Sequence, residues 1–235
     1  MRIIFGLLFL LLLFPFFMAF IEMGGNFIHA SDIFWPVILG VVIGIILEAV
    51  LFRKIPWLET FEHELTHSLV ALAFLRRIRD FRVTSRSGGH MKYENGFGGD
   101  FGNELIGLAP YYLPTFTFLS ALIRPFLGET AFPWFDVWIG FTFGFHLWST
   151  IEETRQNWTS RPSCDLEGKV SRTDIGKRGL AYSAILIASL TLTTHGVILA
   201  LMLKRWGGFS AWGRSVGRIV QTEVNFIFDF IRRLI

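Results

Sequence analysis

Hydrophobic positions along this chain fall in long unbroken runs, not in the two-residue alternation of half-buried strands. The runs cover residues 3–20, 34–52, 57–75, 105–123, 134–150 and 179–203. Most approach the roughly 20 residues that a helix needs to cross a bilayer core. The pattern therefore predicts an all-α multi-span membrane protein of about six hydrophobic helices. A membrane barrel would show alternating segments of about ten residues instead. Arg2 precedes the first run, and no small-residue cleavage site follows it cleanly, so it is expected to stay as an anchor. The second run contains Glu48 and closes on Arg53-Lys54, and Pro56 suits the first turn of the third helix. Pro110 and Pro114 lie inside the fourth run.

Between the third and fourth runs the period changes. Phe81-Arg82-Val83-Thr84-Ser85-Arg86 and His90-Met91-Lys92-Tyr93 alternate weakly around Gly88-Gly89. This predicts a small surface β-hairpin after the third helix, with the two glycines at its turn. The glycine-rich stretch 95–102 reads as a loop, and it lacks the Lys-Ser/Thr of a phosphate-binding loop. Past the last run, Phe209, Trp212, Val216, Ile219 and Val220 are set against Arg214 and Arg218, the pattern of an amphipathic helix on a membrane surface. Three segments follow: N-terminal spans (1–56), a membrane core (57–203) and an amphipathic C-terminal helix (204–235).

Composition agrees with the runs. Hydrophobic residues make up 52% of the chain and charged residues 17%, a balance that excludes an ordinary soluble domain. The net charge of +3 comes from Lys and Arg at the ends of runs, where they serve as interfacial anchors and require no nucleic-acid partner. A single cysteine, Cys164, excludes a disulfide framework and a thiolate metal cluster.

One stretch carries chemistry. In His63-Glu64-Leu65-Thr66-His67 the two histidines are four residues apart, so on a helix both imidazoles face one point and can share a metal ion. Glu64 is placed to take a proton from a metal-bound water. Three ionisable groups within five positions of an apolar run are costly unless they are used. A catalytic zinc ion takes three protein ligands. Val70 and Ala73 stand where the extended pattern with a third histidine needs Gly and His, which excludes that class. Asp174, Asp165, His146, Glu94 and Glu104 remain as candidates for the third ligand.

With Gly88-Gly89-His90-Met91-Lys92-Tyr93, Leu108-Ala109-Pro110-Tyr111-Tyr112, Gly144-Phe145-His146-Leu147 and Thr173-Asp174-Ile175, the motif resembles the site-2 protease class of intramembrane metalloproteases. The likeness is to its compact bacterial M50-like members and covers about residues 57–200. It implies a multi-pass protein of the bacterial cytoplasmic membrane that cuts membrane-anchored protein substrates. One Zn2+ is expected on His63, His67 and an acidic third ligand, with Glu64 as general base. The Leu-Asp-Gly triplet usual in that class is absent; Cys164-Asp165-Leu166-Glu167-Gly168 is a scrambled form of it. Asp174, directly before the last run, is the preferred ligand over Asp165 and His146. His146 reads equally as a hydrogen-bond donor to the transition state or as a packed histidine. Three other functions fit parts of the pattern. A membrane-surface zincin would use Glu94 or Glu104; a zinc transporter would need His146 and His195 as ligands on a second helix; a scaffold would bind no metal.

Overall fold

The long apolar runs fold as helices in a computed structural model, which describes residues 2–51, 55–84, 88–159, 163–164, 170–171 and 179–234. In chain order these are α1 (Arg2–His29), α2 (Ser31–Val50), α3 (Pro56–Ala73), the hairpin β1 (Ile78–Thr84) and β2 (Gly88–Tyr93), α4 (Gly99–Tyr112), α5 (Thr115–Ile123) and α6 (Phe132–Thr159). A two-residue pair, β3 (Ser163–Cys164) with β4 (Val170–Ser171), precedes α7 (Leu180–Lys204) and α8 (Gly208–Leu234).

The helices differ from the expected spans in instructive ways. Among the described residues, three stretches are long and apolar enough to cross a membrane: α1, α2 and Leu180–Phe230. A fourth is added if the broken pair Gly99–Tyr112 and Thr115–Phe126, bent by 84°, counts as one span. The expected run 105–123 is thus two helices. Leu113 is extended (φ −112°, ψ 101°), the conformation that a following proline imposes, and Pro114 starts a new direction. The motif helix α3 is too polar to pass, since it carries Glu59, Glu62, His63, Glu64 and His67. Asp136, His146, Glu152 and Glu153 interrupt the apolar character of α6, which continues to Thr159 instead of ending near Thr150.

Two helix contacts set the frame. α2 and α6 run parallel with their backbones nearly touching. A Cβ added at Gly40 would lie 2.0 Å from the Val137 carbonyl oxygen, and one at Gly140 would lie 2.0 Å from that of Val37. Gly44 and Gly144 repeat the relation one turn on, against Phe141 and Val41. Glycines four apart on both helices form a small-residue seam, and dispersion and weak Cα–H···O contacts replace the hydrophobic effect that apolar surroundings do not supply. Elsewhere α1 lies along α7, where Ser189 donates to the Phe9 carbonyl at 3.1 Å. The first half of α8 closes over both: Trp212 is buried with Ala19, Met23 and Ala200, and Gly196 leaves the space its ring fills. Trp212, Val216 and Ile219 of the apolar face of α8 are therefore packed on protein, while Phe209 at its start and Phe226, Phe228 and Phe230 beyond are exposed.

The hairpin pairs Phe81 with Met91 and Thr84 with Gly88. Gly88 and Gly89 lie within β2, not at the turn, because Gly89 passes close to α3. Arg76, expected as an interfacial anchor, is instead buried. It donates to the carbonyls of Phe97 and Gly99 and to Asn103, fastening the loop before α4 to the end of α3.

Candidate metal centre

His63 and His67 project from one face of α3, and their Nε2 atoms face each other at 3.1 Å. Each ring is oriented through its other nitrogen. Nδ1 of His67 donates to the Ile106 carbonyl at 2.6 Å, and Nδ1 of His63 donates to Glu153 Oε2 at 3.1 Å. Glu153 is held in turn by the Tyr111 hydroxyl, which donates to Oε1 at 2.7 Å. With each Nδ1 directed at its oxygen partner, a neutral ring turns its Nε2 lone pair toward the other histidine, the arrangement in which the pair can hold a cation. Two nitrogens bound to a tetrahedral zinc at ~2.0–2.1 Å stand about 3.3 Å apart, close to the spacing seen here. The carboxylate and the carbonyl behind the imidazoles are the outer partners that fix tautomer and raise basicity in metal sites. The two histidines fit a zinc ion.

Glu64 is buried between α3 and the hairpin. A Cβ on Gly89 would lie 2.6 Å from Glu64 Cγ and 2.8 Å from Thr60 Cγ2, so β2 crosses the helix at the motif glutamate and only glycine allows the approach. Thr66 anchors the opposite side by donating to the Glu62 carbonyl and meeting the Thr115 hydroxyl just after the α4–α5 break. The break thus brings Tyr111 and Thr115 to α3 from two directions.

A cavity of about 280 Å³ opens beside the pair, lined by His63, Glu64, Gly89, His146 and Glu153 among others. His146 belongs to this wall: its Nδ1 is 3.3 Å from Glu62 Oε1 and its Nε2 3.3 Å from the Thr150 hydroxyl. The glutamates considered as third ligands are engaged elsewhere, Glu94 with Arg79 and Glu104 with Arg2. His195 lies against Phe143, with Nδ1 on the Thr191 carbonyl, and lines a separate apolar cavity. Asp174 and Asp165 lie outside the described residues. Among those described, no three His, Cys, Asp or Glu side chains converge on one metal position.

Sequence reasoning missed Glu153, Tyr111 and the Ile106 carbonyl as supports of the histidines. Glu152-Glu153 directly follows the apolar run 134–150, which marks two carboxylates on the continuing helix but not which residue they meet.

Two imidazoles facing each other, with a glutamate between them in sequence on the same helix of an apolar bundle, are a donor set of the kind metal-dependent hydrolases use. The family model described as peptidase M50B-like matches residues 36–156, more than half of the chain, and the chain belongs to that family of membrane metallopeptidases. The match begins within α2 and ends within α6, whereas the motifs suggested about residues 57–200: it takes in most of the second apolar helix and stops short of α7. No curated protein and no solved structure matches the chain.

Proposed function

We propose that the protein is an intramembrane zinc metalloprotease that hydrolyses peptide bonds of membrane-anchored protein substrates, with α3 and α6 completing a multi-pass core in a bacterial cytoplasmic membrane. The observation that carries this is the 3.1 Å approach of the His63 and His67 Nε2 atoms while Ile106 and Glu153 hold each Nδ1. His63, His67 and Asp174 are the residues that would hold one zinc ion; Asp174 enters by ligand type and by its place before α7. When bound, zinc supplies a Lewis acid that makes water nucleophilic at neutral pH.

The remaining work falls to the chain. Glu64 accepts a proton from the attacking water as the water oxygen bonds to the peptide carbonyl carbon. It returns that proton to the amide nitrogen as the C–N bond breaks. His146 stands in the cavity wall as a donor to the carbonyl oxygen while charge develops there. A substrate helix has its carbonyls bonded internally and must unwind first. The hairpin beside Glu64 offers an edge on which the unwound segment can pair.

Zinc content and cleavage of a transmembrane substrate, measured for wild type, Glu64→Gln and Asp174→Asn, test the proposal. Glu64→Gln is expected to keep zinc and lose cleavage, and Asp174→Asn to weaken both. Full activity in Glu64→Gln would end it.

A further inference from the structure

The space between α3 and α6 runs on past the metal centre. On α6, Thr142, His146 and Thr150 are spaced four apart, as are Phe145, Ser149 and Glu153, so each set shares one helical face. Leu58, Glu62 and Thr66 do the same on α3. The later members of each set line the metal cavity, and the first members line a second cavity, of about 400 Å³. One end of the groove is therefore polar and reaches Gly89 of the hairpin. The other is walled by Leu58, Phe116, Trp138, Phe141 and Phe145, and among the described residues no charged side chain lines it.

The apolar end is built rather than left over. α5 supplies its floor: Phe116 lies against Phe61 of α3, and Thr117 donates to the Thr142 hydroxyl of α6 at 3.2 Å. Thr142 donates in turn to the Ile139 carbonyl at 2.9 Å, and Trp138 Nε1 donates to Ser120 at 3.0 Å. The polar atoms of Thr142 and Trp138 are thus tied back to α5 and to the α6 backbone, which leaves rings and methyl groups around the groove. A lipid tail gains little by entering, because it leaves surroundings that are equally apolar. A substrate segment unwound beside Glu64 and His146 differs, since it carries the apolar side chains of a membrane span into a polar cavity that must hold the attacking water. An adjoining apolar groove takes one of them out of it. Thr142 stands one turn, about 5.4 Å, before His146, and an extended chain advances about 3.4 Å per residue. A residue about two to four positions from the cleaved bond therefore reaches the groove.

We propose that the groove between Leu58 and Phe145, floored by Phe116, is a specificity subsite that takes one large apolar side chain of the substrate, from the side of the scissile bond away from the hairpin. The proposal rests on the protease function above and narrows its substrates to spans with Leu or Phe at that position. A small residue there leaves the groove unfilled, and a charged one meets no partner; both are cut slowly.

The test uses the full zinc-loaded chain and a membrane-anchored peptide with Phe, Ala or Asp placed in turn at each position flanking the cleaved bond. At one position Phe is expected to exceed Ala in kcat/KM by about tenfold to a hundredfold, with Asp lower still. Leu58→Trp narrows the groove and should reverse the order, so that the Ala peptide is cut faster than the Phe peptide. Leu58→Ala widens it and should raise a Trp peptide relative to the Phe peptide, a gain that a misfolded protein cannot show. Equal kcat/KM for all peptides at every position overturns the subsite and leaves the protease function standing. A Phe preference that neither Leu58 variant changes places the specificity elsewhere and also overturns it. A phospholipid that copurifies with wild type and is lost in Leu58→Trp, with the peptide order unchanged, would make the groove a lipid site instead. No cleavage of any peptide by wild type overturns the protease function, and the subsite with it.

Discussion

His63 Nδ1 and Glu153 Oε2 meet at 3.1 Å although 90 residues of chain separate them. The contact joins the motif helix to the far end of α6 and turns the first imidazole toward the second. Glu153→Gln keeps the shape but removes the carboxylate charge behind the ring. We expect zinc affinity to fall about 10- to 100-fold with the fold intact. Competition with a chelator of known affinity measures it, and unchanged affinity would separate Glu153 from the metal centre.

The glycine seam between α2 and α6 tolerates no side chain. Gly140→Val would place carbon within 2.0 Å of the Val37 carbonyl oxygen, and the helices must part. The expected cost is at least about 1–3 kcal/mol, seen as loss of monodisperse protein and a lower Tm. Gly24→Ala is the control, because a Cβ there meets nothing within 4 Å.

Gly89 is a more local test. Gly89→Ala would set a methyl 2.6 Å from Glu64 Cγ and 2.9 Å from the Arg82 carbonyl oxygen. Either the hairpin lifts or Glu64 swings away. Zinc binding is expected to persist while kcat falls about tenfold or more, since an ångström of misplacement at a proton-transfer group is enough. A variant with wild-type kcat would show that β2 and Glu64 are not coupled.

At the other end of α6, Arg124 donates to both carboxylate oxygens of Asp136 and to the Met202 carbonyl, all of it buried. Arg124→Met leaves Asp136 buried without its partner, a loss of about 3–5 kcal/mol. Adding Asp136→Leu should recover most of it, because the uncompensated charge is gone. Thermal unfolding of the two variants in detergent decides; equal destabilisation in both would mean that the Met202 contact dominates.

Local signals were legible and tertiary ones were not. Four-residue spacing put His63 and His67 on one helical face, and two alternating stretches marked the hairpin, because both features depend on near neighbours. Glu153 could not be assigned to His63, since nothing in residues 150–155 points to a partner 90 positions earlier. Gly40, Gly44, Gly140 and Gly144 showed their spacing but not that they face one another. Pro114 was visible, yet the apolar run around it hid that the chain turns there by 84°. Arg76 resembled a surface anchor because its acceptors, two carbonyls and Asn103, come from backbone geometry and a later loop. The preferred third ligand, Asp174, lies outside the described residues.

The close approach of α2 and α6 also bears on how a substrate reaches the cavity. Glu48 extends from one of these helices, and His146 and Glu153 from the other, beyond glycines whose backbones already touch. With no side chains between them to slide or repack, the two helices form a single stiff jaw. For the proposed peptide substrate, a gap would then have to come from the facing side, where α3 and β2 meet across Gly89 and the chain bends at Leu113–Pro114.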